Sequence, residues 1–121
     1  MQYMLLIYDD EKVWQDMPEE KRDAMVGEYF AYTEALKEAG KYVAGDALQG
    51  IDTAKSVRVR DGEINTTDGP FAETKEQFGG YYLVDVDSED EALEWAAKIP
   101  SATVGTIEVR PVMVFTADTP A

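Results

Sequence analysis

The side chains best suited to chemistry are concentrated between Thr67 and Tyr82, T-D-G-P-F-A-E-T-K-E-Q-F-G-G-Y-Y. Asp68 and Glu73 are two carboxylates that could hold a cation, orient a polar ligand, or act as acid and base. The glycines and the proline predict an irregular, structured loop. The structural alternative is that Asp68 is a turn residue and that Thr74-x-x-Gln77 forms the capping box of a single helical turn.

Histidine and cysteine are both absent from the 121 residues. Without cysteine there is no thiolate nucleophile, no disulfide and no ordinary structural zinc site. Without histidine there is no imidazole base, so acid–base chemistry would depend on a carboxylate, a lysine or a tyrosine. The remaining metal ligands are oxygens, and the acids at 9–11 and 85–91 lack the alternating spacing of a calcium loop. We therefore expect no metal and no cofactor.

The charge balance argues against two classes of partner. The chain has 25 acidic and 11 basic residues and a net charge of −14, a field that repels nucleic-acid phosphates and anionic lipids. No segment has the roughly 20 consecutive apolar residues of a transmembrane helix, and Met1 to Tyr8 lacks a signal peptide's basic region. We expect a soluble, cytoplasmic protein with one domain at residues 1–116 and a frayed tail at 117–121.

Two strand–helix–strand units are predicted to position the candidate residues. The first contains a nearly continuous apolar strand from Gln2 to Tyr8, a loop with Trp14, and a helix from about Pro18 to Ala39. The apolar residues of this helix recur at spacings of three and four, which places them on one face. Gly40 is the expected end of the helix, and Tyr42 to Leu48 is a strand weakened by a glycine.

The second unit follows an inserted hairpin. Its pattern signals are an Asp-Gly turn, a capping box of the S-x-x-E type and a proline that requires a bulge or an edge position. The predicted elements are hairpin strands at Ser56 to Arg60 and Glu63 to Thr67 around Asp61-Gly62, a strand at Tyr81 to Val86, a helix at about Glu89 to Ile99 preceded by Ser88, and a last strand at Thr103 to Phe115 interrupted by Pro111.

This element order predicts an α+β fold: a ferredoxin-like βαββαβ sheet with an inserted β-hairpin and both helices on one face. The strands around Met4 to Tyr8 and Tyr81 to Val86 do not alternate strictly between apolar and polar residues. Both faces of the sheet are therefore expected to be covered. A second copy stacked on the open face would do this, so we predict a homodimer with a cavity between the sheets.

Five runs of the sequence form a recognisable set: D-G-P-F-A-E-T-K-E-Q-F-G-G-Y-Y-L-V-D-V at 68–86, Y-V-A-G-D-A-L at 42–48, V-R-V-R-D-G at 57–62, A-A-K-I-P-S at 96–101 and I-E-V-R-P-V-M at 107–113. Through these runs the sequence resembles the DGPF-domain branch of the YCII-related (YciI-like) proteins over essentially its whole length, Gln2 to Phe115. The resemblance implies a dimeric α/β barrel of ferredoxin-like topology, which agrees with the element order.

The resemblance implies less about function than about the fold. Similar proteins are mostly of unassigned activity, and some are encoded beside, or fused to, extracytoplasmic-function sigma factors. Others are suspected enzymes because a histidine and an aspartate share a cleft, with the histidine eleven residues before the glycine that ends the first helix. Counting back from Gly40 gives Tyr29. The resemblance therefore implies that imidazole-based catalysis is absent from this chain.

Five residues are candidates for ligand binding: Tyr29, Arg58, Asp68, Phe71 and Glu73. Tyr29 either fills the core or hydrogen-bonds a ligand, and Arg58 is either a solvated strand residue or part of an anion site. One functional hypothesis is a homodimer that binds a small polar or aromatic ligand, or a slow enzyme, with a cavity closed by the loop from Asp68 to Gly80. The other is a non-catalytic interaction module associated with sigma-factor regulation.

Overall fold

The computed structural model describes residues 1–116; the predicted frayed tail lies outside the described residues. These residues form six β-strands and three α-helices in an α+β arrangement. In chain order they are β1 (Gln2–Asp9), α1 (Glu11–Gln15), α2 (Glu19–Glu38), β2 (Tyr42–Ala47), β3 (Lys55–Arg60), β4 (Glu63–Asp68), β5 (Gln77–Asp85), α3 (Glu89–Ala97) and β6 (Thr106–Pro111), with short 3-10 helices at Ile51–Thr53 and Pro100–Thr103.

The main sheet has the strand order β2-β5-β1-β6 and is antiparallel throughout. With the hairpin set aside, two strand–helix–strand units interleave in this order, as predicted for a ferredoxin-like sheet. The hairpin strands β3 and β4 form a separate two-stranded sheet. Asp61 and Gly62 connect them with φ angles of 52° and 78°, the paired positive values of a type I′ turn.

The core lies on one face of the main sheet, under α2 and α3. β1 alternates between buried and half-buried positions, so that Tyr3, Leu5 and Ile7 point into the core. They pack with Leu36 of α2 and Ala92 of α3 in one cluster. This placement confirms the predicted helix layer on a single face of the sheet.

The opposite face of the sheet carries a half-buried apolar patch. Met4, Leu6 and Tyr8 of β1 pair with Leu83, Tyr81 and Phe78 of β5, and the rings of Tyr8 and Phe78 lie 5.5 Å apart. The Tyr8–Phe78 pair follows a register shift that leaves Gly79 without a partner on β1. The extra residue keeps Phe78 on the open face and turns Gln77 toward α1.

The C-terminal end of α2 and the N-terminal end of α3 lie where the sequence predicts them. Gly40 has a φ of 71°, and the amides of Gly40 and Lys41 donate to the carbonyls of Lys37 and Leu36, a Schellman motif. Ser88 caps α3 as predicted by accepting a hydrogen bond from the Glu91 amide, while the Glu91 side chain accepts from the Asp87 amide and not from the Ser88 amide of a full capping box. None of the helices within residues 1–116 is long and apolar enough to cross a membrane.

Four local predictions were wrong. The segment around Trp14 is the short helix α1 and not a loop, because Asp10 caps it by accepting from the Lys12 amide. The irregular loop spans only residues 69–76, since Asp68 pairs with β3 and Gln77 already pairs with Asp9 of β1. For the same reason no helical turn forms at Thr74–Gln77. The last strand ends at Pro111, at the edge position that the proline requires.

Candidate functional site

A cavity of about 580 Å³ lies between the first two helices and the strands β1, β2 and β5. Its wall is one face of α2. Val26, Tyr29, Phe30 and Thr33 follow the spacing of three and four that aligns side chains on a helix. Val26 and Phe30 are 42% and 70% exposed, so this wall extends from the core to the protein surface. The cavity is large enough for a small organic ligand.

The floor of the cavity consists largely of main chain. Gly45 of β2 and Gly79 and Gly80 of β5 line it without side chains. A Cβ atom at Gly80 would lie 2.9 Å from the carbonyl oxygen of Asp46, and one at Gly45 would lie 2.8 Å from Cδ1 of Tyr82. These close approaches explain why Gly45 interrupts the strand predicted from Tyr42 to Leu48. Because Gly45 and Gly80 have no side chains, the space above the two strands stays open.

The inner end of the cavity holds a buried polar network centred on Asp9. The Trp14 indole donates to Oδ2 of Asp9 over 2.8 Å, and the Ser101 hydroxyl donates to the same oxygen over 2.9 Å. The Tyr29 hydroxyl contacts the Ser101 oxygen. Because Ser101 has given its single proton to Asp9, Tyr29 must be the donor in that contact. The network thus runs from Tyr29 through Ser101 to Asp9.

One oxygen of Asp9 remains available to a ligand. Asp9 is only 8% exposed and lines the cavity, yet no hydrogen bond within residues 1–116 reaches its Oδ1 atom. A Cβ at Gly79 would lie 3.6 Å from this oxygen, so the missing side chain leaves space beside it. The carboxylate can therefore accept a hydrogen bond or a proton from a molecule in the cavity.

The tyrosines around the cavity keep their protons. Burial raises the pKa of Tyr29 above its ordinary value of 10.0; the hydrogen bond to Ser101 opposes this shift, and the nearby Asp9 charge adds to it. Burial also raises the pKa of Tyr82, whose hydroxyl hydrogen-bonds Thr33 Oγ1 over 2.8 Å. At neutral pH these hydroxyls are hydrogen-bond donors and not bases.

The short helix α1 closes one side of the site and is held at its first residue, Glu11. The Glu11 carboxylate accepts from the Ile51 amide over 2.8 Å, while the Glu11 amide donates to the Gln77 side chain over 3.0 Å. These bonds tie α1 to the 3-10 helix and to β5. They fix the position from which Trp14 reaches Asp9.

The structure separates the five residues predicted from the sequence. Tyr29 lines the large cavity, whereas Arg58 and Phe71 line a second cavity of about 270 Å³ at the β3–β4 hairpin. Asp68 is exposed and paired with Lys55, and Glu73 is exposed on the loop at 69–76. Of the stretch from Asp68 to Gly80, only Gly79 and Gly80 line the large cavity. Ligand binding by these five residues stays a prediction.

Sequence reasoning did not assign a site role to Asp9, Trp14 or Ser101. The signal for Asp9 was present, because the alternation Tyr3, Leu5, Ile7 continues to it and places its carboxylate on the core side. Ser101 and Trp14 gave no comparable signal, since their contacts with Asp9 depend on the packing of distant elements. Among the described residues, no three acidic side chains converge as a metal site would require.

Fold and site together define a small ferredoxin-like domain with an apolar cavity that ends in a buried carboxylate. The chain belongs to the YCII-related family, because the sequence model of the YCII-related domain matches residues 1–116. Membership in the DGPF branch stays a prediction.

Two further comparisons give one relative in sequence and one protein of similar fold. An uncharacterised protein of Rhizobium meliloti (strain 1021) is 38% identical over 117 residues, covering 95% of this chain and 94% of the relative. The fold is similar to 5-chloro-2-hydroxyhydroquinone dehydrochlorinase from Burkholderia phenoliruptrix, solved in complex with 2,5-dihydroxybenzoquinone. The TM-score is 0.57 at 18% identity, and the match covers 93% of this chain and 94% of the other.

Proposed function

We propose that the protein binds a small aromatic or polar ligand in the cavity between its sheet and its first two helices. The observation that carries the proposal is the inner end of the cavity, where one oxygen of Asp9 has no hydrogen-bond partner among the described residues and the surrounding lining is largely apolar. Ligand sites in proteins typically combine an apolar lining with a few convergent polar groups.

The lining favours a flat, ring-shaped ligand. Trp14, Tyr29, Tyr42 and Tyr82 all contribute to it. Aromatic rings pack well against other rings in offset or edge-to-face contacts. The dehydrochlorinase that shares the fold was solved with a six-membered ring compound, which is consistent with a cyclic ligand without identifying one.

Any reaction in this cavity would be a proton transfer carried by Asp9. The chain contains no histidine, and burial raises the pKa of Tyr29, which makes its hydroxyl a donor. Asp9 would accept the proton through Oδ1, and Ser101 and Trp14 would hold the carboxylate in place through Oδ2. Catalysis without imidazole is expected to be slow.

The binding proposal is tested with the neutral ring compounds tyrosol, catechol and indole, by following backbone amide NMR signals during titration. We expect the signals of Gly45, Gly79 and Gly80 to shift. Ala47 is exposed and lines the cavity, so Ala47→Phe should obstruct the cavity without straining the fold. Ala72→Phe, on the exposed loop, is the matched control and should bind as the unaltered protein does. If none of the three compounds shifts these signals, the proposal is contradicted.

We further propose that the protein is a cytoplasmic homodimer formed through the open face of its sheet. Leu6, Tyr81 and Leu83 form part of an apolar patch there that a second copy would cover. The alternative, an interaction module tied to extracytoplasmic-function sigma factors, stays a prediction. Affinity purification of the tagged protein from its native host would support it by recovering such a factor together with the protein.

A further inference from the structure

The large cavity is lined by carboxylates and by no cation. Asp9, Glu11 and Asp46 are among its lining residues, although the Asp46 carboxylate binds the Tyr81 hydroxyl on the open face of the sheet. No lysine or arginine within residues 1–116 lines the cavity. This asymmetry concerns the ligand's charge, a property that the proposed function leaves open. The inference below rests on that proposed function and specifies the ligand class.

None of the three carboxylates has a protein counter-ion in the part of the chain that the structure describes. Asp46 accepts from the Tyr81 hydroxyl over 2.9 Å, Glu11 accepts from the Ile51 amide, and Asp9 accepts from Trp14 and Ser101. All of these donors are neutral, and the salt bridges of the chain involve other acids.

Asp9 is the most informative of the three because it is 8% exposed. Buried charges in proteins are normally paired, since removing a carboxylate from water costs several kcal/mol unless an opposite charge compensates. Here Oδ2 is occupied and Oδ1 borders the cavity. A cation seated in the cavity would supply the missing partner.

The aromatic lining points to the same class of ligand. The faces of tyrosine and tryptophan rings attract cations, most strongly where water is excluded. One such contact already exists on a cavity residue, because the Lys37 ammonium lies 5.2 Å from the centre of the Tyr42 ring. The net charge of −14 adds a field that draws cations toward the protein and repels anions.

The geometry points to a small organic cation as the ligand, an amine joined to an aromatic ring whose ammonium group binds Oδ1 of Asp9. A metal ion does not match the site, since the acidic side chains of the described residues do not converge. An aromatic amine matches both features of the cavity, with its ring against the aromatic side chains and its charge against the buried carboxylate.

The test uses three probes of nearly equal size that differ in charge: tyramine, tyrosol and 4-hydroxyphenylacetate, which carry an ammonium, a hydroxyl and a carboxylate. Each is titrated into the unaltered protein by calorimetry. We expect tyramine to bind at least about tenfold more tightly than tyrosol, and the carboxylate to bind most weakly.

A variant locates the effect at one side chain. Asp9→Asn is nearly isosteric and retains an oxygen acceptor for Trp14 and Ser101. It should weaken tyramine binding by about tenfold or more and change tyrosol binding by less than about twofold. Asp61→Asn removes the same charge from the exposed hairpin turn, where asparagine also tolerates the positive φ, and serves as the control.

Each outcome separates the two proposals. If tyrosol or the carboxylate binds as tightly as tyramine, the inferred charge of the ligand is wrong while cavity binding stands. If none of the three probes binds, both proposals are wrong. Because the probe series is measured on the unaltered protein, the result does not depend on the folding of the Asp9 variant.

Discussion

The Ser101 hydroxyl donates a hydrogen bond to Oδ2 of Asp9 over 2.9 Å, although 92 positions separate the two residues in the chain. Both side chains are buried. The bond joins the end of β1 to the 3-10 helix that follows α3. It therefore connects the first and second halves of the fold at the inner end of the cavity.

Ser101→Ala should lower the free energy of unfolding by about 1–3 kcal/mol, because Asp9 loses one buried donor and Tyr29 loses its acceptor. Tyr29→Phe should lower the free energy of unfolding by a smaller amount. Combined in one protein, the two changes should be less destabilising than their sum, since both remove the same contact. Urea denaturation of the four proteins of this cycle measures the coupling; strict additivity would show that the network is not energetically connected.

Alkaline pH should destabilise the protein through its buried tyrosines. Burial raises the pKa of Tyr32 above the ordinary 10.0, and its hydroxyl donates to the Trp95 carbonyl over 2.9 Å. Above about pH 10 the unfolded chain loses this proton while the folded protein keeps it, so the free energy of unfolding falls as pH rises. Tyr32→Phe should show a shallower decline between about pH 9 and 11. Equal slopes in the two proteins would contradict the assignment.

Two glycine-to-alanine substitutions should have opposite effects on stability. Gly80→Ala places a Cβ 2.9 Å from a backbone oxygen and should cost about 1–3 kcal/mol. Gly27→Ala, within α2, meets nothing within 4 Å and should stabilise the protein by about 0.5–1 kcal/mol. Thermal unfolding compares the two variants directly. If Gly80→Ala unfolds at the same temperature as the unaltered protein, β2 and β5 separate more easily than their contacts suggest.

The proposed dimer is tested by analytical ultracentrifugation. The unaltered protein should sediment as a species of twice the 13.5 kDa chain mass at micromolar concentration. Leu6→Lys places a charge at the centre of the apolar patch and should yield the single chain. Leu93→Lys alters a residue of α3 that is 49% exposed, on the other side of the sheet, and should leave the dimer intact. A single-chain mass for the unaltered protein would overturn the proposal.

Most of the fold could be predicted from local patterns. Gly40, Ser88 and the Asp61-Gly62 turn specify helix ends and a hairpin through contacts only a few residues long. The helix α1 escaped detection because five residues are too few to show a period. The start of β5 escaped because Gly79 and Gly80 are typical of a turn, whereas here they belong to a strand with a bulge.

The site was less predictable than the fold. Tyr29 was a candidate because the resemblance predicts it at the family's histidine position. Asp9 and Ser101 meet only because β1 pairs with β6 and the 3-10 helix after α3 packs against β1, which no short-range pattern encodes. Asp68 and Glu73 were candidates because they lie in a stretch rich in glycine and charged residues, yet both side chains are exposed.

The division of the cavity into a main-chain floor and a helical wall bears on how the site could acquire new ligands. Changes at Gly45 or Gly80 would disturb strand pairing itself. Val26 and Phe30 face the same space from α2 and are 42% and 70% exposed, so their replacement leaves the core untouched. A library randomised at these two positions would vary selectivity while preserving the scaffold, which makes this domain a practical starting point for engineered small-molecule receptors.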